Sequence, residues 1–286
     1  MNVQVIQQRL RPYNCQTEFE EQQAIREITQ EVALAALGRG DFFKHALFQG
    51  GTCLRIFYGL NRFSEDMDFI LREPDPDFQM KEHLQRLGDE LAAYGYQIEI
   101  TDRSRANTTV KKAFLKDSSL GKLIDLRYVN QDGPLAKIRI KLEIDTNPPA
   151  GSGAELLYLD FPFVSAVAAQ NKPSLFAGKL HALLCREYVK GRDWYDFIWY
   201  TGQGIGVNYA FLTSAINQLG PWQGGGVMAD KNWVVSELKK KITSINWKQA
   251  VDDVRRFIRV REQPSLALWG NDLFLHQLDK WERATG

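Results

Sequence analysis

The stretch Phe48–Leu71, FQGGTCLRIFYGLNRFSEDMDFIL, decides how the chain is read. With the residues just before it, HALFQGG reads as a short apolar strand ending in glycines, and TCLRIFYG as a helix that starts at the second glycine and stops at Gly59. SEDMDFIL then returns as a strand. Gly50 and Gly51 let the backbone come close to a ligand, and the helix start behind them offers unpaired N–H groups and a positive dipole end to a phosphate. Thr52 adds a hydroxyl beside them. Thirteen residues separate Thr52 from Asp66-Met67-Asp68, which predicts an extended turn through Leu60 to Phe63. Asp66 and Asp68, two apart on a strand, point the same way. Paired carboxylates on a rigid strand suit Mg²⁺, which takes one or two protein ligands and fills its shell with water and substrate phosphates. In a two-metal site one such Asp can bridge both ions. Each part alone fits a turn or a solvated strand end, but their order together points to nucleotide chemistry.

Working outward, Glu18–Arg39 has helical period, with Ile25, Ile28, Val32, Ala35 and Ala36 on one stripe, and Lys81–Tyr94 is amphipathic. YQIEIT, KLIDLRYV and LAKIRIKLEID follow as strands. The last alternates, with Ile138, Ile140, Leu142 and Ile144 on one face and Lys137, Arg139, Lys141, Glu143 and Asp145 on the other. Glu143 or Asp145 is the candidate third carboxylate. DTNPPAGSGAE, Asp145–Glu155, is a Pro- and Gly-rich loop, after which the pattern is mostly helical. Ser174–Val189 is predicted as one helix that puts Lys179 and Arg186 on a shared face with Lys190 a turn further, Gly191 at its C-terminal end, and Asp193 and Asp196 on the next helix. A lysine aimed into a cleft suits the outer phosphates of a nucleoside triphosphate; the same residues also fit a solvated charged face held by pairs such as Arg192 with Asp196. All seven tryptophans lie after residue 190, so the two halves are built differently. The expected fold is α+β: a mixed sheet flanked by helices over residues 1–160, then a mainly helical domain over 161–286 that completes an active-site cleft.

Composition narrows the partners. The 286 residues are 44% hydrophobic and 25% charged, which excludes general disorder, and the net charge of +1 offers no global field for a polyanion. Locally, Thr101 to Lys141 holds ten Lys and Arg (Arg103, Arg105, Lys111, Lys112, Lys116, Lys122, Arg127, Lys137, Arg139, Lys141) against four Asp, a candidate RNA-backbone footprint. No apolar run reaches the length of a membrane span and no signal-peptide core opens the chain. The three cysteines are far apart, without a CxxC site, and fit a reduced cytoplasmic setting. The four histidines lack metal spacing. The stripe Trp194, Phe197, Ile198 and Trp199 is expected as core.

Three segments together carry a resemblance. FQGGTCLRIFYGLNRFSEDMDFIL, KLEID and GKLHALLCREYVKGRDWYD resemble the motifs of the AbiEii/AbiGii toxin family among the DNA polymerase β-like nucleotidyltransferases, over about Phe42 to Tyr200. The resemblance implies a nucleotidyltransferase core, a helical C-terminal domain, and Mg²⁺-dependent transfer of a nucleotide from an NTP, in characterised members to the tRNA 3′ end. It also implies a cognate antitoxin and a part in growth arrest or phage defence. By the same resemblance Gly51, Thr52 and Ser64 lie near phosphate, beside Gly50. Asp66 and Asp68 bind metal, Glu143 (or Asp145) is the third acid, Lys179 reaches the triphosphate, and Asp193 is a required acid. The competing expectations are transfer to a small molecule or a protein hydroxyl, and a nucleotide-binding module without turnover.

Overall fold

The computed structural model describes residues 3–103, 108–117, 126, 128 and 138–285. These divide into two compact units: 1–59, 63–148 and 155–169 in the first, and 60–62, 149–154 and 170–286 in the second.

The first unit opens with α1 (Val3–Leu10) and α2 (Glu18–Arg39), the latter capped by Thr17, whose side chain accepts from the Glu20 N–H. A short α3 (Phe42–His45) leads into β1 (Ala46–Gln49), α4 (Gly50–Tyr58), β2 (Asp66–Leu71), α5 (Lys81–Ala93), β3 (Ile98–Asp102), β4 (Val110–Asp117), β5 (Ile138–Asp145), β6 (Ala154–Leu159) and β7 (Ser165–Gln170). The strands form one mixed sheet in the order β3-β4-β5-β2-β1-β7-β6, with β2 antiparallel to β1 and parallel to β5. The alternation read in the sequence of β5 holds: Ile140, Leu142 and Ile144 are buried while Lys141, Glu143 and Asp145 between them are half-buried. Across the sheet the buried face continues through Met67, Phe69, Ala113 and Leu115, and α2 and α5 pack on this unit's strands.

Besides β4, a strand the sequence reading left unassigned, three differences matter in this unit. First, α2 is buried almost all round instead of along one stripe, because its polar residues have partners: Glu31 with Arg9, Glu27 with Arg55 at 2.8 Å and with the Tyr13 hydroxyl at 3.0 Å, and Thr29 with Tyr96 at 3.0 Å. Second, β6 and β7 follow the loop where helix was expected, and the sheet continues past residue 160 until the first unit closes at Ala169. Ala-rich VSAVAAQ carries no local strand signal; its pairing partner, β1, lies some 120 residues earlier, with Phe48 opposite Ala169. Third, α4 begins at Gly50, one residue earlier than read. The expected strand KLIDLRYV lies outside the described residues, apart from Leu126 and Tyr128, as do Arg105, Lys122, Arg127 and Lys137.

The second unit is helical: α6 (Lys172–Cys185), α7 (Gly191–Gly202), α8 (Tyr209–Gln218), α9 (Lys231–Ser244), α10 (Trp247–Arg255) and α11 (Asn271–Ala284). Its core is aromatic, with Trp194, Phe197, Phe274 and Trp281 buried, and Trp247 stacked on Phe274 at 4.1 Å. From the expected stripe Trp194 and Phe197 are core, while Ile198 and Trp199 are half-buried. The helix carrying Lys179 is shorter than read: α6 ends at Cys185, and Arg186 is extended at φ −73° and ψ 134°. Gly191 does not close that helix. It is the first residue of α7, where a side chain would overlap the Ala250 carbonyl oxygen, so glycine permits the close approach of α7 and α10.

Candidate functional site

In the first unit the two sequence-adjacent motifs meet at one point. Gly50 has φ +79°, the left-handed region that favours glycine, and a Cβ built there would lie 2.5 Å from Asp68 Oδ2. The missing side chain thus leaves the Asp68 carboxylate against the start of α4. Gln49 and Asp68 are register partners on β1 and β2, which is why the glycine and the acid arrive together. Gln49, at the N-cap position, makes no side-chain cap to the helix start. Thr52 is fully buried and its hydroxyl donates to the Asp66 carbonyl oxygen, tying α4 to the first residue of β2. Its proton is therefore committed to the backbone of the acid strand. Gly51 is buried in the same turn.

The β2–β5 register sets Asp68 opposite Glu143, Asp66 opposite Lys141, and Ile70 opposite Asp145. Glu143 is thus the acid level with the pair. Asp145 lies one row away in a half-buried position, where its Oδ1 accepts from the Asn147 N–H at 2.9 Å and burial pushes its pKa up. Glu143 is gripped by two lysines, Lys141 Nζ at 2.7 Å and Lys112 Nζ at 3.0 Å. Burial pushes its carboxyl up, but the hydrogen bonds and charges of Lys141 and Lys112 outweigh this and hold it below the usual range. Among the described residues no group of three His, Cys, Asp or Glu side chains is placed to hold a metal ion together. Asp66 and Asp68 share the polar face of β2 next to the start of α4, with Glu143 level with Asp68 but ion-paired to two lysines.

Residues that sequence reading passed over hold this arrangement. Gln30 of α2 donates from Nε2 to the carbonyl oxygens of Ser64 (3.2 Å) and Glu65 (3.0 Å), and Arg26 reaches Glu65 at 3.1 Å. They pin the chain as it enters β2, Ser64 included. Nothing in the local pattern marks them, because a mid-helix Gln looks solvent-facing until the helix is buried.

In the second unit a charge network surrounds Lys179, which is 12% exposed. Its ammonium meets Asp193 Oδ1 at 2.6 Å and Asp196 Oδ2 at 2.7 Å. Arg62, 3% exposed, makes a two-pronged bond to Asp196 at 2.6 and 2.7 Å, and Arg186 pairs with Asp193. Arg62 belongs to the turn between α4 and β2, where it is buried. The pairing for Asp196 suggested by sequence, with Arg192, gives way here to Arg62 and Lys179; the Arg192 guanidinium lies 4.1 Å from the Phe257 ring centroid. Burial pushes Asp193 up, but Lys179, Arg186 and Lys190 overcome it and bring its pKa down to about 2. Asp196 is likewise lowered against burial, by Arg62 and Lys179.

The basic segment is divided by the strand pleat. Lys112 is opposite Glu143, Phe114 opposite Lys141, and Lys116 opposite Arg139, so these share the face of Asp66 and Asp68. Lys111 is opposite Ile144 and belongs to the other face.

Two solved Helicobacter pylori structures resemble the chain. One, a candidate nucleotidyltransferase, aligns with a TM-score of 0.52 at 17% identity over 89% of this chain and 95% of the other. The second, JHP933, aligns with a TM-score of 0.51 at 17% identity over 91% and 94%. At that identity the likeness speaks for the fold. No match was found among curated proteins. The family model described as nucleotidyl transferase AbiEii toxin, type IV toxin–antitoxin system, matches residues 32–267, a span that contains Gly50, the Asp66/Asp68 pair, Glu143 and the Lys179 network. The chain therefore belongs to the AbiEii nucleotidyltransferase toxin family, and it is a nucleotidyltransferase.

Proposed function

We propose that this toxin transfers a nucleoside monophosphate from an NTP to an RNA 3′ hydroxyl, with tRNA as the acceptor, in growth arrest or phage defence in the cytoplasm, checked by a cognate antitoxin. The observation that supports it best is that a Cβ at Gly50 would collide with the Asp68 carboxylate, which sets an acid pair suited to a cation beside a helix start suited to a phosphate. The acceptor hydroxyl oxygen forms a bond to the α-phosphorus as its proton passes to water, the bond to the pyrophosphate oxygen breaks, and pyrophosphate leaves. Mg²⁺ on Asp66 and Asp68 would supply charge neutralisation for the attacking and leaving oxygens. The N–H groups at Gly50 and Gly51 hold phosphate oxygens, with Thr52 fixing the helix to the acid strand and the Ser64 hydroxyl nearby in sequence. Glu143, kept ionised by its two lysines, accepts a hydrogen bond from the acceptor hydroxyl and orients it. In the second unit Lys179 is held by Asp193 and Asp196, and its role toward a triphosphate is the one the family resemblance implies.

Incubation with each NTP labelled at the α-phosphate, with tRNA and Mg²⁺, should move label into RNA and release pyrophosphate, and a chelator should stop it. Label appearing in protein or a small molecule instead would overturn the acceptor assignment. Gly50→Ala provides an internal check. It strains the backbone by about 1–2 kcal/mol at a positive φ and pushes on Asp68 Oδ2. A misplacement of about 1 Å costs on the order of 10²-fold in rate, so transfer should fall far more than melting temperature. A variant with undiminished transfer would show that the close approach is incidental.

A further inference from the structure

The acid pair occupies only the inner part of the sheet face it shares. Outward from it, over β5, β4 and β3, the same face carries Lys141, Lys112, Lys116, Arg139 and Arg103, against Glu143, Asp145 and Glu99. Arg103 continues β3 by one residue, its N–H donating to the Lys112 carbonyl at 2.8 Å. In the middle of these cations is an aromatic ring. Phe114 is half-buried, pairs in register with Lys141 on one side and Thr101 on the other, and so shares a row with Asp66. The exposed guanidinium of Arg103 lies 5.3 Å from its ring centroid, so a ring face is turned to this side and already receives a planar cation. The pair of Lys116 with Glu99 is long, at 3.5 Å, and Glu99 is largely exposed, so it holds Lys116 weakly.

A single aromatic ring ringed by cations, continuous with a cation-binding acid pair, has the chemistry of a single-stranded nucleic-acid track: bases stack on the ring and phosphates follow the charges. We propose that Phe114 is a stacking platform for an unpaired base of the RNA acceptor, with the flanking phosphates held by Arg103, Lys112, Lys116 and Arg139. The base takes the place of the Arg103 guanidinium, which moves to the adjoining phosphate. The pleat makes the assignment specific, because Lys111, adjacent in sequence to Lys112, is on the opposite face and takes no part. This assignment rests on the RNA acceptor proposed above.

The test is direct binding, with Asp66→Asn as the parent so that no turnover intervenes, and a fluorescent single-stranded RNA oligonucleotide as probe. Loss of one stacked base costs roughly 1–3 kcal/mol, so Phe114→Leu should weaken binding about tenfold, whereas Phe114→Trp should retain it. Lys116→Ala with Arg139→Ala should weaken binding and flatten its dependence on salt, and Lys111→Ala should match the parent. Circular dichroism of each variant separates lost binding from lost fold, and the Trp variant serves if Leu unfolds: full RNA affinity there with an aromatic-dependent quench of a 2-aminopurine base supports the platform. RNA binding unchanged in Phe114→Leu overturns it, and intact RNA labelling by the Phe114→Leu chain with Asp66 restored would then leave the transferase reading standing. Weakened binding of a non-hydrolysable NTP with RNA binding unaffected also overturns it, placing the donor base there instead. A parent that binds no single-stranded RNA, together with a wild-type chain that labels none, overturns both.

Discussion

Asp66→Asn and Asp68→Asn are each expected to lower nucleotide transfer by on the order of 10³-fold or more, with melting temperature nearly unchanged. Each substitution keeps shape and removes the charge that a divalent cation needs, and losing even one preorganised electrostatic contact to a developing charge costs on the order of 10²–10³. The fold has little reason to respond. Both side chains are half-buried on the polar face, and the bond that ties α4 to β2 uses the backbone oxygen of Asp66, which the substitution leaves in place. The measurement pairs α-phosphate labelling of RNA with a thermal melt, and with growth of cells expressing each variant. Both variants should also relieve toxicity. Transfer within tenfold of wild type in either would remove that acid from the proposed metal set. Glu143→Gln is the contrast: its carboxylate is bound by Lys112 and Lys141, so a loss there that equals the loss at Asp68 would show that the ion pairs open in the working enzyme.

Asp196→Ala is expected to destabilise the second unit by about 3–5 kcal/mol, the usual cost of removing one partner from a buried ion pair. Its removal leaves Arg62, almost fully buried, without the carboxylate it grips at 2.6 and 2.7 Å, and takes one of two anions from Lys179. At the scale of this unit that is a fall of about 10–20 °C in melting temperature. Substituting both Arg62 and Asp196 with Met should restore much of it, since a buried pair exchanged for apolar groups is often neutral. A double substitution no better than Asp196→Ala would show that the charges are needed for more than each other. The same network predicts acid lability. The folded pKa of Asp193 is depressed, to about 2, so its stabilising contribution is complete above the unfolded value near 4 and disappears as pH falls through the folded one. A shift of about two pKa units corresponds to roughly 2–3 kcal/mol. Melting temperature should drop between pH 4 and pH 2, and that drop should shrink in Asp193→Asn. Lys179 belongs to this network with its pKa raised by Asp193 and Asp196 against burial, so Lys179→Ala is expected to lower stability as well as activity.

Much of the site's first half is legible in the sequence because it is local. Strand, glycines, helix and acid strand occupy 26 consecutive residues, Ala46 to Leu71, and their order follows from periodicity and turn chemistry alone. The alternation of β5 is equally local and places Glu143 on the polar face, yet only the β2–β5 register shows that Glu143, and not Asp145, is level with Asp68. Register depends on pairing between strands some 75 residues apart, which no short window contains. The pleat likewise separates Lys111 from Lys112, although charge counting treats them alike.

The remaining features depend on distance along the chain. Arg62 and Asp196 are 134 residues apart, so neither announces its partner, and an arginine in a turn looks like an ordinary solvated charge until it is buried. Alanine-rich β7 is a strand because β1 offers it an edge, and α2 is buried all round because α1 and α4 supply arginines to its glutamates. By itself the sequence determined the local order of strand, glycine turn, helix and acid strand, and the family whose motifs they carry. The tertiary structure alone decided which carboxylate is in line, which cations face it, and why the second unit's acids are buried, because those outcomes are set by register and desolvation, and both arise only when distant segments pack.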